Sequence, residues 1–104
     1  GALSRISAAI TGTSWARKGK AKIKIRWSST GETGSKAVVE LWRNGVFIDT
    51  IKGGTLNDGA IAWDIPGKMP LGDSYFVRVY SKSNPLIYGA SGAFTIAGRK
   101  TTDG

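Results

Sequence analysis

Apolar and polar residues alternate most regularly in the segment that spans residues 20–27. It interleaves four cations with four apolar residues: Lys20, Ala21, Lys22, Ile23, Lys24, Ile25, Arg26 and Trp27. A period of two residues predicts a β-strand with one face on a hydrophobic core and the other in water. The apolar face ends in a tryptophan, which buries a large area, and the cations on the other face would stand about 7 Å apart. The segment therefore predicts part of the core and a positively charged surface.

The same alternation recurs along the chain and predicts seven short strands. They span residues 3–10, 20–27, 36–43, 46–51, 60–65, 75–81 and 93–96. Turn-forming residues separate them: Asn44-Gly45 is the strongest hairpin signal, and Pro66-Gly67 ends the strand before it. No helix of useful length and no internal repeat is predicted. This spacing favours an all-β fold, an Ig-like or fibronectin-III-like antiparallel β-sandwich of about seven strands.

Two further patterns place large side chains in the predicted core. Trp15 follows a polar turn, and we expect it to fold back onto the core as a plug. The segment Leu71-Gly72-Asp73-Ser74-Tyr75 precedes the alternating Val77 and Val79, which is typical of a tyrosine corner in such sandwiches. One set of side chains is expected to be buried together between the sheets: Trp27, Trp63, Tyr75, Val77 and Phe94.

Length and missing residue types limit the chemistry that the chain can perform. A chain of 104 residues is expected to form one domain, which we place at residues 1–98, with 99–104 as a linker or frayed tail. The sequence has no cysteine and no histidine, so disulfides, thiolate metal sites and a nucleophile–histidine pair are excluded. No convincing pair of carboxylates or phosphate-binding loop is present. We therefore expect a protein that is not an enzyme, with no catalytic residues, no metal site and no cofactor.

The ends and the hydropathy of the chain bear on where it functions. No apolar run reaches the roughly 18 residues of a membrane span, so no membrane insertion is expected. A signal peptide is not visible. The chain begins with Gly1-Ala2 and lacks an initiating methionine. This start predicts a fragment of a longer protein, whose neighbouring domains would be partners.

The net charge predicts a positively charged surface on one sheet. Lysine and arginine exceed aspartate and glutamate by 15 to 7, a formal net charge of +8, and such a field favours polyanions. In an Ig-like sandwich the second predicted strand lies between the first and the fifth, so its cations share an outer face with the small residues Ala60 and Ala62. The candidate polyanion-binding residues are Arg5, Lys20, Lys22, Lys24 and Arg26. The alternative interpretation is a solvated sheet face without a ligand.

Aromatic side chains indicate a second candidate surface, formed by residues that are expected to point outward from the other sheet. Flat rings can stack on sugar rings, and an arginine among them could hold a hydroxyl or a carboxylate. The candidate glycan-binding residues are Trp42, Phe76, Arg78 and Tyr80. Two alternatives stay open: the rings could pack against a neighbouring domain or a second copy, or the predicted parity could be shifted by one residue, which would place them in the core. Nucleic acid is the less favoured ligand, because single-strand binders interleave aromatic residues with cations on one surface, and no nucleic-acid-binding motif is present.

Three segments of the chain together carry a resemblance to a known family. They are Trp15…Gly19…Ile25-Arg26-Trp27-Ser28, then Val39-Glu40-Leu41 with Asn44-Gly45, then Asn57-Asp58-Gly59…Trp63-Asp64-Ile65-Pro66…Leu71-Gly72…Tyr75…Val77…Val79. With these residues the chain resembles the Ig-like domains typified by the yeast cell-wall glucan-synthesis proteins Kre9 and Knh1, over about residues 6–97. Most of the matching positions are core and turn positions. The resemblance therefore implies a fold and an extracellular cell-wall or polysaccharide setting, and it carries over no catalytic residues.

These observations together predict a non-catalytic Ig-like module of a secreted or cell-surface protein. Its expected partner is a cell-wall polymer or another polysaccharide, acidic ones included. The competing interpretation is a structural spacer or protein-interaction domain within a larger extracellular protein or enzyme. The adjoining sequence of the parent protein would discriminate between them.

Overall fold

The computed structural model describes residues 4–10, 14–16, 23–31, 33–65 and 69–97, with only the backbone of 14–16 and 97. Within these ranges the regular structure consists of strands and includes no helix. The strands are β1 (Arg5–Ile10), β2 (Ser14–Ala16), β3 (Ile23–Thr30), β4 (Lys36–Arg43), β5 (Val46–Leu56), β6 (Ala60–Trp63), β7 (Gly72–Ser81), β8 (Tyr88–Ala90) and β9 (Phe94–Ala97). The all-β prediction is confirmed.

The strands form two sheets that pack face to face as a sandwich. The small sheet has the order β1-β3-β6, so β3 lies between the first strand and β6 as predicted. The large sheet has the order β2-β9-β7-β4-β5, and β8 also pairs with β7. Neighbouring strands are antiparallel except for the parallel pair of β2 and β9. This is the predicted Ig-like sandwich, with two short strands added to the expected seven.

Several strand bounds differ from the predicted ones: β3 continues to Thr30, β6 ends at Trp63 and β7 begins at Gly72. Strand β4 has the predicted bounds, whereas β5 continues through Gly53 and Gly54 to Leu56 because it stays paired with β4 through register shifts. Strands β2 and β8 have three residues each, too few to show a period. Residues 20–22 at the start of the predicted second strand, and the tail 98–104, lie outside the described residues.

The core lies between the two sheets, and the residues that were predicted to face inward form it. On β3 the side chains of Ile23, Ile25 and Trp27 are buried, and the residues between them are exposed. The large sheet contributes a matching set of buried residues: Val39, Leu41, Tyr75, Val77, Val79, Phe94 and Ile96. Trp63 is only half-buried against this core, because β6 is an edge strand of the small sheet. The side chain of Trp15 lies outside the described residues.

Three local features fix the connections between strands. Tyr75 donates its hydroxyl to the carbonyl of Pro70 at 2.6 Å, which confirms the tyrosine corner. Asn44 and Gly45 both have positive φ, 51° and 78°, as the two-residue hairpin requires. Asn57, between β5 and β6, accepts the indole N–H of Trp27 at 2.7 Å and donates to Thr33 at 2.8 Å. The amide of Asn57 therefore links the core of the small sheet to the loop that precedes β4.

Candidate functional site

Aromatic residues collect on the outer face of the large sheet because the strand register places them on neighbouring strands. Trp42 of β4 lies opposite Phe76 of β7 on one side and opposite Phe47 of β5 on the other. Further along, Tyr80 of β7 lies opposite Tyr88 of β8. Glu40 and Arg78 face each other between these two rows. We call the whole set the aromatic patch: Glu40, Trp42, Phe47, Phe76, Arg78, Tyr80 and Tyr88.

The rings of the first row contact one another across three strands. The ring centroids of Trp42 and Phe76 are 6.1 Å apart with an interplanar angle of 25°. Those of Trp42 and Phe47 are also 6.1 Å apart, at an angle of 82°. Pairs at this separation stabilise each other beyond the area that they bury, by about 0.5–1.5 kcal/mol. Trp42 is therefore held from both sides while it remains only half-buried.

Arg78 lies among three rings at the centre of the patch. Its guanidinium carbon is 4.2 Å from the ring centroid of Tyr88, 5.2 Å from that of Trp42 and 6.0 Å from that of Tyr80. Its Nε is buried and has no hydrogen-bond partner within the described part of the chain. Contacts of a cation with ring faces contribute roughly 0.5–1 kcal/mol each at exposed sites. These contacts hold the guanidinium in place, where it joins β4, β7 and β8.

Glu40 orients two of the rings through its carboxylate. Oε1 accepts a hydrogen bond from the indole N–H of Trp42 at 3.0 Å, and Oε2 accepts one from the hydroxyl of Tyr80 at 2.9 Å. Burial raises the pKa of the Tyr80 hydroxyl above its usual value, and the hydrogen bond to Glu40 and its negative charge raise it further, against the opposing charge of Arg78. At neutral pH the hydroxyl of Tyr80 therefore stays protonated and serves as a donor.

The patch opens to solvent at its two margins. Phe47 and Tyr88 are 46% and 53% exposed, whereas Trp42, Phe76 and Tyr80 between them are half-buried. Apolar ring surface lies beside a carboxylate, a guanidinium and a phenol. A surface of this kind can contact the apolar face of a sugar and form hydrogen bonds to its hydroxyls.

The four residues that the sequence predicted for this surface lie together on the outer face. Trp42, Phe76, Arg78 and Tyr80 are on the predicted parity, so the interpretation that they belong to the core is wrong. Sequence reasoning missed Glu40, Phe47 and Tyr88 as members of the patch. The Asn44-Gly45 turn carried the signal for Phe47, because a two-residue hairpin loop fixes position 47 opposite position 42. Tyr88 had no such signal, since it lies in a three-residue strand after a loop.

The predicted basic residues occupy the outer face of the small sheet, as far as the structure describes them. Arg5, Lys24 and Arg26 are exposed there, while Lys20 and Lys22 lie outside the described residues. Arg26 is flanked by Ala9 of β1 and Ala60 of β6. Arg5 of β1 lies opposite Thr30 of β3, four residues along that strand from Arg26. It therefore extends the row of cations along the strand direction and does not place a second cation beside Arg26. We call this surface the basic face, and it points away from the aromatic patch.

The described residues include neither a candidate metal centre nor a membrane-spanning helix. No three aspartate, glutamate, histidine or cysteine side chains come together there in a way that could hold a metal ion. The same residues include no helix long and apolar enough to cross a membrane.

Comparison with known proteins gives one match. The family model of the Kre9/KNH-like N-terminal Ig-like domain matches residues 10–96. No curated protein and no solved structure matches the chain significantly. The family is one of Ig-like domains related to cell-wall glucan. Since the match spans most of the sandwich, the chain belongs to the Kre9/KNH-like family of Ig-like domains.

Proposed function

We propose that this domain is a non-catalytic module of a secreted or cell-surface protein and that it binds a cell-wall polysaccharide through the aromatic patch. The observation that carries the proposal is the arrangement of Trp42, Phe76 and Tyr80 around Glu40 and Arg78 on an open sheet face. The cell-wall association of the family supports the setting. On this proposal the domain localises the parent protein and leaves the sugar chain chemically unchanged.

The chemistry of the patch suits a neutral sugar chain. A pyranose ring has an apolar C–H face, which can stack on an aromatic ring, and hydroxyls around its edge. Three rings cover the positive charge of Arg78, and its neighbour Glu40 carries a negative charge. The patch therefore offers no uncovered cation to attract a polyanion. Stacking and hydrogen bonding, more than charge, would supply the affinity.

The experiment compares the retention of variants on insoluble cell-wall glucan. Tyr88→Ala removes an exposed ring, and Trp42→Ala removes the ring between Phe47 and Phe76. Leu86→Ala is the matched control, because Leu86 is 87% exposed and lies outside the patch. We expect each patch variant to lose about tenfold or more in affinity, equivalent to about 1.4 kcal/mol, and the control to bind like wild type.

Thermal unfolding of the same variants separates a binding defect from a folding defect. Trp42 is half-buried and contacts several side chains, so its truncation should cost about 2 kcal/mol of stability. Tyr88 is half-exposed, and its truncation should cost less. Undiminished retention of both folded variants would contradict the proposal that the patch binds glucan.

A second candidate function is that of a spacer or protein-interaction domain. The observation that favours it is the edge strand β5, where Val46, Phe47 and Ile48 are 60%, 46% and 38% exposed. An exposed apolar edge strand is a site where another chain or domain can pair. If β5 serves this role, Ile48→Lys should abolish contact with a neighbouring domain or a second copy. Sedimentation analysis would detect the loss, and glucan retention would not change.

A further inference from the structure

We propose that the basic face is a second binding surface, separate from the aromatic patch, and that it takes acidic polysaccharides with Arg26 at its centre. The proposal goes beyond the neutral glycan assigned to the patch. It rests on described residues of three adjacent strands, β1, β3 and β6, whose outward side chains share one face.

Arg26 stands in the middle of this face between residues without long side chains. Ala9 on β1 and Ala60 on β6 lie directly opposite it, and Ala62 lies opposite Lys24. The described cross-strand neighbours of Arg26 thus carry only methyl groups, and its side chain is exposed. A carboxylate or sulfate group can approach the guanidinium from solvent without displacing either alanine.

Two shallow depressions flank the guanidinium. One is lined by Lys24, Arg26 and the alanines of β6. The other is lined by Arg26 with Ser7, Ala9, Trp27, Ser28 and Gly59. Ser7 and Ser28 lie opposite each other across β1 and β3. The face therefore offers a cation at its centre, a second cation on one side and two hydroxyls on the other.

The side chain of Arg26 differs in its contacts from the two arginines on the large sheet. Arg43 donates from Nε to the carbonyl of Asp73 and lies 5.0 Å from the ring centroid of Tyr75. Arg78 is covered by three rings. Within the described ranges Arg26 has no hydrogen bond or ion pair to another residue. Its planar guanidinium is thus available for a bidentate contact with a carboxylate or sulfate.

The composition of the face favours a polysaccharide over nucleic acid. Single-stranded nucleic acid binders stack bases on aromatic side chains within the positively charged groove. The outward side chains of β1, β3 and β6, so far as the structure describes them, are cations, serines, alanines and Thr30. Trp27 also lines one depression, but its side chain is buried in the core and offers no open ring face. The serine hydroxyls can exchange hydrogen bonds with sugar hydroxyls. The net charge of +8 adds a long-range attraction to any acidic chain.

The test measures binding to polygalacturonate, a carboxylated polysaccharide, by the domain and two double variants. Lys24→Gln with Arg26→Gln removes two cations of the basic face. Lys36→Gln with Lys52→Gln removes two exposed cations of the large sheet and matches the change in net charge. We expect the first variant to lose about tenfold in affinity at low salt and the second to stay within about twofold of wild type. Binding by wild type should weaken steeply as salt rises to about 0.15 M.

Three outcomes would overturn the proposal. Equal losses by the two double variants would mean that only net charge matters. Retention of full affinity by the first variant would show that the face is simply solvated. Tighter binding to a DNA duplex than to polygalacturonate, lost in the first variant, would assign the face to nucleic acid. Thermal unfolding of both double variants separates a loss of binding from a loss of folding. Trp42→Ala should still bind polygalacturonate, which distinguishes a failure of this proposal from a failure of the proposal for the aromatic patch.

Discussion

At the scale of single residues, Glu40 and Arg78 organise the aromatic patch. They face each other across β4 and β7, and each contacts two or more aromatic residues. Glu40 accepts hydrogen bonds from Trp42 and Tyr80, and Arg78 lies against the rings of Trp42, Tyr80 and Tyr88. Two oppositely charged residues thus add directional contacts to rings that already pack on one another. The patch is in this sense organised before any ligand arrives, which lowers the cost of ordering on binding.

The carboxylate of Glu40 makes a testable contribution to the pKa of Tyr80. Its hydrogen bond and its charge are two of the causes that raise this pKa, with burial as the largest, while Arg78 lowers it. We predict that Glu40→Gln moves the pKa of Tyr80 down towards its usual value. Titration of the Tyr80 ring carbon by NMR measures the shift, and an unchanged or higher pKa in the variant would contradict the assigned hydrogen bond.

The same pKa predicts how stability depends on alkaline pH. The pKa of Tyr80 is higher in the folded protein than in the unfolded chain, where it is about 10. The unfolded state therefore releases its proton first, and the stabilisation present below pH 10 is lost as the pH rises through the folded-state value. Wild type should lose more of its free energy of unfolding above pH 10 than Glu40→Gln does.

At the scale of strands, β8 links the two sheets and carries Tyr88 to Arg78. It pairs with β7 of the large sheet, and its Gly89 lies against the backbone of β1 in the small sheet. A methyl group at Gly89 would collide with the carbonyl oxygen of Ile6. Because a backbone atom cannot move aside as a flexible side chain can, only glycine permits this approach.

We predict that Gly89→Ala destabilises the domain by about 1–3 kcal/mol, the usual cost of overpacking. Displacement of β8 should also move Tyr88 away from Arg78 and weaken glucan retention. Gly92→Ala is the control, since no described atom apart from those of Gly92 and its chain neighbours lies within 4 Å of the added methyl, and its effect should stay within about 0.5 kcal/mol. Urea unfolding measures both variants, and equal stabilities would contradict the close packing of β8 on β1.

Sequence patterns predicted the long strands because their residues alternate between core and solvent over several periods. The inward residues of β3, β4 and β7 and the outward position of Trp42 and its neighbours followed from this alternation. The pattern failed where an element is too short or too exposed to alternate. Strand β8 has three residues, and the edge strand β5 is exposed along most of its length. The half-burial of Trp63 could not be predicted in this way, because alternation shows that Trp63 faces inward but does not show that β6 lies at a sheet edge.

At the scale of the whole molecule, the sandwich places two different surfaces on opposite outer faces. The large sheet presents rings around a covered arginine, and the small sheet presents exposed cations among alanines and serines. The core between them is formed by the inward-facing side chains of the same strands. On the two binding proposals together, the domain would contact two polymer chains of different chemistry without competition between them. Such a geometry suits a module that lies within a mixed polysaccharide network.

One NMR titration tests the central claim, that the aromatic patch binds a neutral glycan. Amide and indole N–H signals of the labelled domain are followed while a soluble gluco-oligosaccharide is added. The indole of Trp42, half-buried and hydrogen-bonded to Glu40, should shift together with the amides of Phe76, Arg78 and Tyr80. The indole of Trp27 is the internal control, because it is buried and donates to Asn57, and it should not move. Saturable shifts elsewhere with the Trp42 indole unchanged, or no shifts at all, would contradict the account.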